Sequence, residues 1–248
     1  MVDFTGGTCR SLIYGSEVGA IPDSGGDHQW NFDGDDADAG TIFDQIGSLD
    51  GDIVGDPDFI SGKGVDDIFL ELDGSDDYID LGSKTAFPEL RENVEGTVFG
   101  WTRMDTSGGR QGLLTTDNTG SDTDFYLGEI DGEYAFRLAL DDDSGWAIGG
   151  DVSDNVGEWI ALAGTVDGST IRVFVADPSN DYEVVEIAND GAPASTNNDW
   201  THEISIGRET AGDQSYLEGG VDLSFYHPNP LSTSDLQSFV DESKHLYE

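Results

Sequence analysis

Short apolar stretches recur about every 8 to 15 residues from His28 onward, separated by clusters of Gly, Asp and Asn. This spacing is typical of the strands of a sandwich or jelly roll. The clearest stretch is 134–140, where Tyr, Phe, Leu and Leu alternate with Ala, Arg and Ala, the period of two expected for a half-buried strand. The pattern predicts strands at His28 to Phe32, Asp67 to Leu72, Tyr78 to Leu81, Gly96 to Arg103, Gln111 to Thr116, Asp124 to Ile130, Glu133 to Leu140, Glu158 to Thr165, Thr170 to Val175, Tyr182 to Ile187, Glu203 to Gly207 and Gly220 to Tyr226.

Two Asp-Gly pairs, Asp131-Gly132 and Asp167-Gly168, each lie between two predicted strands. Asp-Gly is favoured in type I′ turns, because both central residues of that turn need a positive φ. Each pair therefore predicts a β-hairpin.

The hydrophobic period changes in the C-terminal segment. Ser232 and Asp235 have capping-box spacing, and apolar residues then fall on one helical face. They are Leu236, Phe239, Val240, Leu246 and Tyr247. We expect one helix over 232–248, packed onto the sandwich.

Several segments, taken in order, match a known type of domain. They are Trp30-Asn31-Phe32-Asp33, Leu49-Asp50-Gly51, Leu72-Asp73-Gly74-Ser75-Asp76-Asp77-Tyr78-Ile79-Asp80-Leu81, Gly157-Glu158-Trp159, 164–171, Ile204-Ser205-Ile206-Gly207-Arg208, 217–222 and Pro230-Leu231-Ser232. Together they resemble a LamG-like domain of the concanavalin A-like lectin/glucanase type. The resemblance implies an all-β, concanavalin A-like two-sheet jelly-roll sandwich with one C-terminal helix, covering residues 27–248.

Acidic residues outnumber basic ones by 52 to 10, which gives a formal net charge of −42. Aromatic residues make up 10% of the chain and lie in apolar runs, so the acids belong to a folded surface rather than to a disordered chain. Molar salt screens the repulsion within such a surface. The composition resembles that of haloarchaeal proteins and of their viruses, with an acidic, Ca²⁺-loaded mesophilic surface protein as the alternative. Binding to nucleic acid or to an anionic membrane is disfavoured, because both need a basic face.

Residues 1–26 are rich in Gly and Ser, and we interpret them as an extended N-terminal arm that docks the sandwich to other virion or surface-assembly subunits. Residues 1–19 lack the apolar stretch of a secretory signal, and no run approaches the length of a membrane span. The single cysteine, Cys9, excludes an intramolecular disulfide. We expect a homo-oligomer, since appendages of this kind are commonly symmetric.

One segment suggests catalysis. Glu129, Asp131 and Glu133 have the spacing of the carboxylate trio of retaining glucanases that share the concanavalin A-like fold, in which one carboxylate is the nucleophile and another the general acid. However, the hairpin turn predicted at Asp131-Gly132 would splay the three side chains into solvent. We therefore predict no catalytic residues and keep a glycoside hydrolase as an alternative. The four His residues are scattered, which gives no basis for a zinc site or a Ser-His-Asp triad.

Clusters of Asp in predicted loops offer the oxygen ligands that Ca²⁺ prefers. The matched segments favour a calcium site formed by Asp33, Asp76 and Asp77, since LamG-like domains often carry one such ion. The alternative is that these are solvated surface carboxylates.

Of the five Trp residues, Trp101 and Trp159 lie in apolar runs and are predicted to be core. Trp146 and Trp200 lie in polar segments that we interpret as loops, where an exposed ring could stack on a sugar. The alternative is a ring tucked under its loop.

These observations predict a non-enzymatic module on a virion or another extracellular surface in high salt, of the capsid-decoration, turret or tail-fibre type. Its expected ligands are host surface glycans, such as those of an S-layer, or glycoproteins. A purely structural subunit with no ligand is the remaining alternative.

Overall fold

A computed structural model of the chain describes residues 24–32, 40–82, 85–116, 125–140, 143–193, 203–209 and 215–248. In these ranges the chain forms two large antiparallel sheets packed face to face, with one α-helix near the C-terminus. The predicted fold class, an all-β jelly-roll sandwich with a C-terminal helix, is confirmed.

The first sheet, sheet A, has the strand order β14-β13-β12-β7-β18-β5-β4. Its long central strand β18 pairs with β7 along one edge, and with β5 and then β1 along the other. The strands of sheet A are β1 (His28–Trp30), β4 (Asp58–Ser61), β5 (Ile68–Asp73), β7 (Glu95–Met104), β12 (Trp159–Asp167), β13 (Thr170–Ala176), β14 (Val185–Gly191) and β18 (Glu218–His227).

The second sheet, sheet B, has the strand order β11-β10-β9-β8-β15-β6-β3-β2. Its strands are β2 (Thr41–Ile42), β3 (Gly51–Val54), β6 (Tyr78–Asp80), β8 (Arg110–Thr116), β9 (Phe125–Ile130), β10 (Glu133–Leu140), β11 (Asp143–Asp151) and β15 (Ile204–Ile206). A two-stranded ribbon of β16 (Arg208–Glu209) and β17 (Ser215–Tyr216) accompanies the two sheets.

The main core lies between the sheets and is built from alternate residues of each strand. Tyr134, Phe136 and Leu138 of β10 point into it, as the period of two predicts. Ile160 and Leu162 of β12 meet them from sheet A.

A second apolar cluster covers the outer face of sheet A. It contains Phe99 and Trp101 of β7 together with Phe239 and Val240 of α1 (Thr233–Ser243). Sheet A is therefore buried on both faces, which explains why nearly every residue of β7 is buried. The prediction that Trp101 and Trp159 are core residues is confirmed, and both belong to this outer cluster.

The C-terminal helix has the predicted capping box. The Ser232 hydroxyl accepts a hydrogen bond from the Asp235 N–H, and the Asp235 carboxylate accepts one from the Ser232 N–H. The helix ends at Ser243 and a 3₁₀ turn over Lys244–Leu246 follows, so Tyr247 reaches the outer cluster from beyond the helix.

Both predicted hairpins form, with different turns. Asp131 and Gly132 have φ values of 53° and 92°, the positive values of a type I′ turn. At the second hairpin, Gly168 has a positive φ but Asp167 does not. Instead, the Asp167 carboxylate accepts hydrogen bonds from the N–H groups of Ser169 and Thr170, so an Asx turn replaces the expected type I′ turn.

Strands β2, β3, β4, β11, β16 and β17 were not predicted from the sequence pattern. The interpretation of Trp146 as a loop residue is wrong, because β11 runs through it. Small residues, Gly145, Ala147 and Gly149, occupy the inward positions of β11 and hide its alternation. No helix in the described ranges is long and apolar enough to cross a membrane.

Candidate functional site

The outer face of sheet B carries a transverse row of side chains that the strand register places opposite one another. Trp146 of β11 lies opposite Arg137 of β10, which lies opposite Tyr126 of β9. Directly opposed residues on neighbouring strands share a face of the sheet. The row continues through Thr115, Ser205, Asp80, Asp52 and Thr41.

The centre of this row is covered by the β16–β17 ribbon. The hydroxyls of Thr115 and Ser205 both donate hydrogen bonds to the carbonyl oxygen of Arg208 in β16. The neighbouring Glu209 is buried, and one of its carboxylate oxygens lies 3.0 Å from Nε of Arg110. The exposed part of the row on the β9–β11 side is therefore its end at Trp146.

Trp146 combines a flat apolar ring with a neighbouring cation. The guanidinium carbon of Arg137 lies 4.5 Å from the centre of the indole ring, within the range of a cation–π interaction. Arg137 itself is buried, whereas Trp146 is half-buried, so solvent reaches the ring more readily than the guanidinium. The backbone N–H of Trp146 donates a hydrogen bond to the Asp190 carboxylate of β14 at 3.2 Å, which fixes the strand that presents the ring. Trp200, the other predicted sugar-stacking residue, lies outside the described residues.

A group of three carboxylates lies at the end of β5 and in the turn after it. Single oxygens of Asp73, Asp76 and Asp77 all lie within 4.8 Å of one another, beside a cavity of about 340 Å³. Asp76 and Asp77 were predicted from the sequence but Asp73 was not, although its position four residues before Asp77 across a Gly-Ser turn places it nearby. Asp33, the third predicted ligand, lies outside the described residues.

The carboxylates of this group accept hydrogen bonds from the backbone around them. Asp77 is buried and accepts hydrogen bonds from the N–H groups of Asp56 and Asp73, and burial raises the pKa of its carboxyl. Asp73 accepts bonds from the N–H groups of Ser75 and Asp76. The oxygen donors suit Ca²⁺, but these bonds also stabilise the turn by themselves. Calcium therefore stays a prediction.

The carboxylates of Glu129, Asp131 and Glu133 do not converge. Glu129 is fully buried, and its oxygens accept hydrogen bonds from the N–H groups of Gly108 and Gly109 and from the Gln111 side chain. Asp131 lies in the exposed hairpin turn. Glu133 is exposed and lies opposite Ile130, so it points to the sheet face opposite that of Glu129. Glu129 therefore stabilises the loop between β7 and β8 through these hydrogen bonds.

The described part of the chain is thus a jelly-roll β-sandwich with a candidate ligand-binding face on sheet B. A family model, Laminin_G_3, described as the concanavalin A-like lectin/glucanases superfamily, matches residues 73–236. The chain belongs to this superfamily. This confirms the superfamily that the sequence motifs suggested, although it does not show a haloarchaeal or viral origin.

Solved structures of domains from three other proteins share the fold. The binding domain of botulinum neurotoxin DC, in complex with SialylT, has a TM-score of 0.61 and 11% identity, covering 87% of this chain. The CBM40 of a Ruminococcus gnavus IT-sialidase has a TM-score of 0.53 and 13% identity, with 68% of this chain and 95% of that chain covered. Domain 4 of AbnA, a GH43 extracellular arabinanase from Geobacillus stearothermophilus in complex with arabinotriose, has a TM-score of 0.59 and 16% identity, with 87% and 97% covered.

This chain spans about half the length of the botulinum neurotoxin chain, of which 51% is covered. At these identities the likeness shows the fold alone. No curated protein matches the sequence significantly.

Proposed function

We propose that the chain is a non-catalytic glycan-binding module that holds its ligand on the outer face of sheet B at Trp146. The observation that carries the proposal is the half-buried indole ring, presented by an edge strand with a guanidinium at 4.5 Å. An aromatic ring offers an apolar surface to the C–H face of a sugar, and fixed polar groups around it select the hydroxyl pattern.

The arrangement of the carboxylates favours binding over hydrolysis. A retaining glycosidase needs two carboxyl groups about 5 Å apart that face the same bond. Here Glu129 is buried among backbone and side-chain donors, and Glu133 faces the other side of its sheet. Two structural neighbours, domain 4 of AbnA and the CBM40 of the Ruminococcus gnavus IT-sialidase, have been solved with arabinotriose and with α2,3 sialyllactose, which supports a saccharide as the class of ligand.

The acidic composition supports a high-salt environment for this module, and an extracellular or virion surface is the setting in which a glycan-binding face meets its ligand. We further propose that the module attaches a larger assembly to host surface glycans. The net charge of −42 supports the high-salt setting, because repulsion of that size is screened in brine.

A glycan array tests the binding proposal. It is probed in about 3 M KCl, because the Debye length at such salt is at most about 3 Å and repulsion within the acidic surface is screened. Wild type, Trp146→Ala, Trp146→Phe and the exposed-charge control Glu242→Gln should be compared. We expect Trp146→Ala to weaken binding about tenfold or more, since stacking on an aromatic face contributes about 1–2 kcal/mol, and Trp146→Phe to retain most of the affinity. The Glu242→Gln variant should bind like wild type.

Two results would contradict the proposal. If wild type binds no glycan on the array, the chain is a structural subunit. If wild type hydrolyses β-glucan in the same buffer and Glu129→Gln abolishes that hydrolysis, the chain is an enzyme.

A further inference from the structure

A second cleft opens at one end of the sandwich, away from the outer face of sheet B. Its volume is about 390 Å³, within the range of small-ligand sites. It lies where the ends of β10 and β11 meet the 3₁₀ turn over Val152–Asn155 and, from sheet A, the segment that joins β13 to β14.

The floor of the cleft is apolar. Tyr134 of β10 and Val175 of β13 are buried core residues that reach the cleft from the two sheets. Ile187 and Val185 of β14 complete the floor, and Val185 is 40% exposed. An apolar side chain left open to solvent at the bottom of a cleft is a surface that a ligand can cover.

The rim of the cleft is polar and carries three carboxylates. One oxygen of Asp151 and one of Asp177 each accept a hydrogen bond from a nearby backbone N–H, which caps a 3₁₀ turn. The Ser153 side chain also donates to the Asp151 carboxylate. No described residue donates a hydrogen bond to the second oxygen of Asp177 or to Asp154. The rim therefore presents hydrogen-bond acceptors toward the cleft.

The hydroxyl of Tyr134 adds a hydrogen-bond donor at the floor. This oxygen accepts a hydrogen bond from Nδ2 of Asn155 at 3.1 Å, while no described residue accepts its proton. Tyr134 is only 2% exposed, and burial raises the pKa of its hydroxyl to about 12, so the proton stays in place at neutral pH. The proton can therefore be donated to an oxygen of a ligand in the cleft.

We propose that this cleft binds one neutral sugar residue, with its hydroxyls donating to the rim carboxylates, one of its oxygens accepting from Tyr134, and its C–H face lying on the apolar floor. A ligand here needs both donors and acceptors, which a polyhydroxylated ring has. The three carboxylates repel an anion. An ammonium ion would satisfy the carboxylates but would leave the Tyr134 proton without an acceptor. This site is separate from the Trp146 face and goes beyond the proposed function.

The test is a titration of the ¹⁵N-labelled full chain with free methyl glycosides in about 3 M KCl, followed by amide chemical shifts. The neutral probes are methyl β-D-glucopyranoside, methyl β-D-galactopyranoside and methyl α-L-arabinofuranoside. Glucuronic acid and glucosamine serve as the anionic and cationic comparisons. We expect saturable shifts confined to residues 150–155 and 175–187 with at least one neutral probe, and none with glucuronic acid.

Four variants assign the binding to the cleft. Tyr134→Phe removes only the hydroxyl, and Asp154→Asn alters an exposed rim carboxylate with no described structural bond. Each should weaken binding by about fivefold, the value of one hydrogen bond of about 1 kcal/mol. Trp146→Ala and Glu242→Gln should leave it unchanged.

The proposal is overturned if no neutral probe shifts the cleft amides, if glucosamine alone does, or if Asp154→Asn and a folded Tyr134→Phe both bind like wild type. Because the readout is local, it stands whatever the glycan array shows for the Trp146 face.

Discussion

Asp222 joins four distant parts of the chain through one buried carboxyl group. It is fully buried in β18 and accepts hydrogen bonds from the N–H groups of Phe32, Val65 and Leu223 and from the hydroxyl of Tyr247. Burial raises the pKa of this carboxyl to about 7, and the hydrogen bonds only partly oppose the rise. At neutral pH the group is therefore close to its titration midpoint in the folded state.

The stability of the protein should report this titration. Because the folded pKa of Asp222 exceeds the unfolded value of 3.8, its contribution is full below pH 3.8 and is lost as the pH rises through 7. Between pH 6 and pH 8 we expect the free energy of unfolding to fall by about 1 kcal/mol on this account. Thermal or urea unfolding of wild type and Asp222→Asn, at each pH, measures the difference.

The Asn variant should be less stable at every pH, because its amide NH₂ faces donors. It should also lose this part of the pH dependence. All groups other than Asp222 are common to both proteins and cancel from the difference between them. Equal slopes for wild type and variant from pH 6 to pH 8 would contradict the assignment.

At the residue scale, the sequence indicated which side chains belong to a candidate site more readily than where they lie in the fold. It selected Trp146 for its ring but placed it in a loop, because Asp and Gly residues surround it in the sequence. It found Asp76 and Asp77 but not Asp73, which directly follows the predicted strand Asp67 to Leu72 and was given no role. The Tyr134 cleft could not be predicted, since its lining comes from 134, 150–155 and 175–187, which only the packing of the two sheets brings together.

The C-terminal helix acts as a cover for sheet A. The Phe239 ring packs edge-on against Phe99, with ring centres 5.0 Å apart, and against Phe225 at 4.8 Å. The indole N–H of Trp101 donates to the Ser243 hydroxyl at 3.0 Å. Both polar and apolar contacts therefore hold the helix against sheet A. The outer face of this sheet depends on the helix for its burial.

Truncating Phe239 should therefore destabilise the whole sandwich. We expect Phe239→Ala to lower the free energy of unfolding by about 3–5 kcal/mol, the usual cost of a cavity left by a buried Phe. The exposed Ser238→Ala on the same helix is the matched control and should change stability by less than about 0.5 kcal/mol. Denaturant unfolding followed by near-UV circular dichroism measures both. A loss below 1 kcal/mol for Phe239→Ala would mean that the helix is not part of the cooperative core.

The elements that were predicted well share strong local signals. Strand β10 was predicted with its exact ends, because large inward residues alternate along it and a type I′ turn precedes it. Strands β3 and β4 were missed, because each has only four residues and only two of them are apolar. Strand β14 begins at Val185 rather than at the predicted Tyr182, because Tyr182 has a positive φ and packs into the outer cluster.

At the scale of the whole molecule, the negative charge is far larger than ion pairs can neutralise. Among the described residues some basic groups pair with two acids, as when Arg103 pairs with both Glu71 and Asp105. With 52 acids and 10 bases, most carboxylates have no basic partner available. Their mutual repulsion raises the free energy of the compact folded state more than that of the expanded unfolded chain.

The midpoint of thermal unfolding should therefore rise steeply with salt at pH 7. We expect a rise of about 10 °C or more between 0.1 and 3 M KCl, over which the Debye length shrinks from about 10 Å to below 3 Å. Near pH 4, within the range in which carboxyl groups ordinarily lose their charge, the same change in salt should have a much smaller effect. A midpoint that is independent of salt at pH 7 would contradict a role for screening.

The two sheets meet edge to edge along β11 and β14. Gly145 permits this approach, because a Cβ at its position would lie 2.3 Å from the carbonyl oxygen of Gly191. The backbone edges of these two strands therefore face each other rather than a neighbouring molecule. Of the other two edges, β2 has only two residues and β4 begins with an aspartate. The sandwich thus offers few sites for strand addition, so it should resist growth into fibrils even in brine that no longer keeps molecules apart by charge.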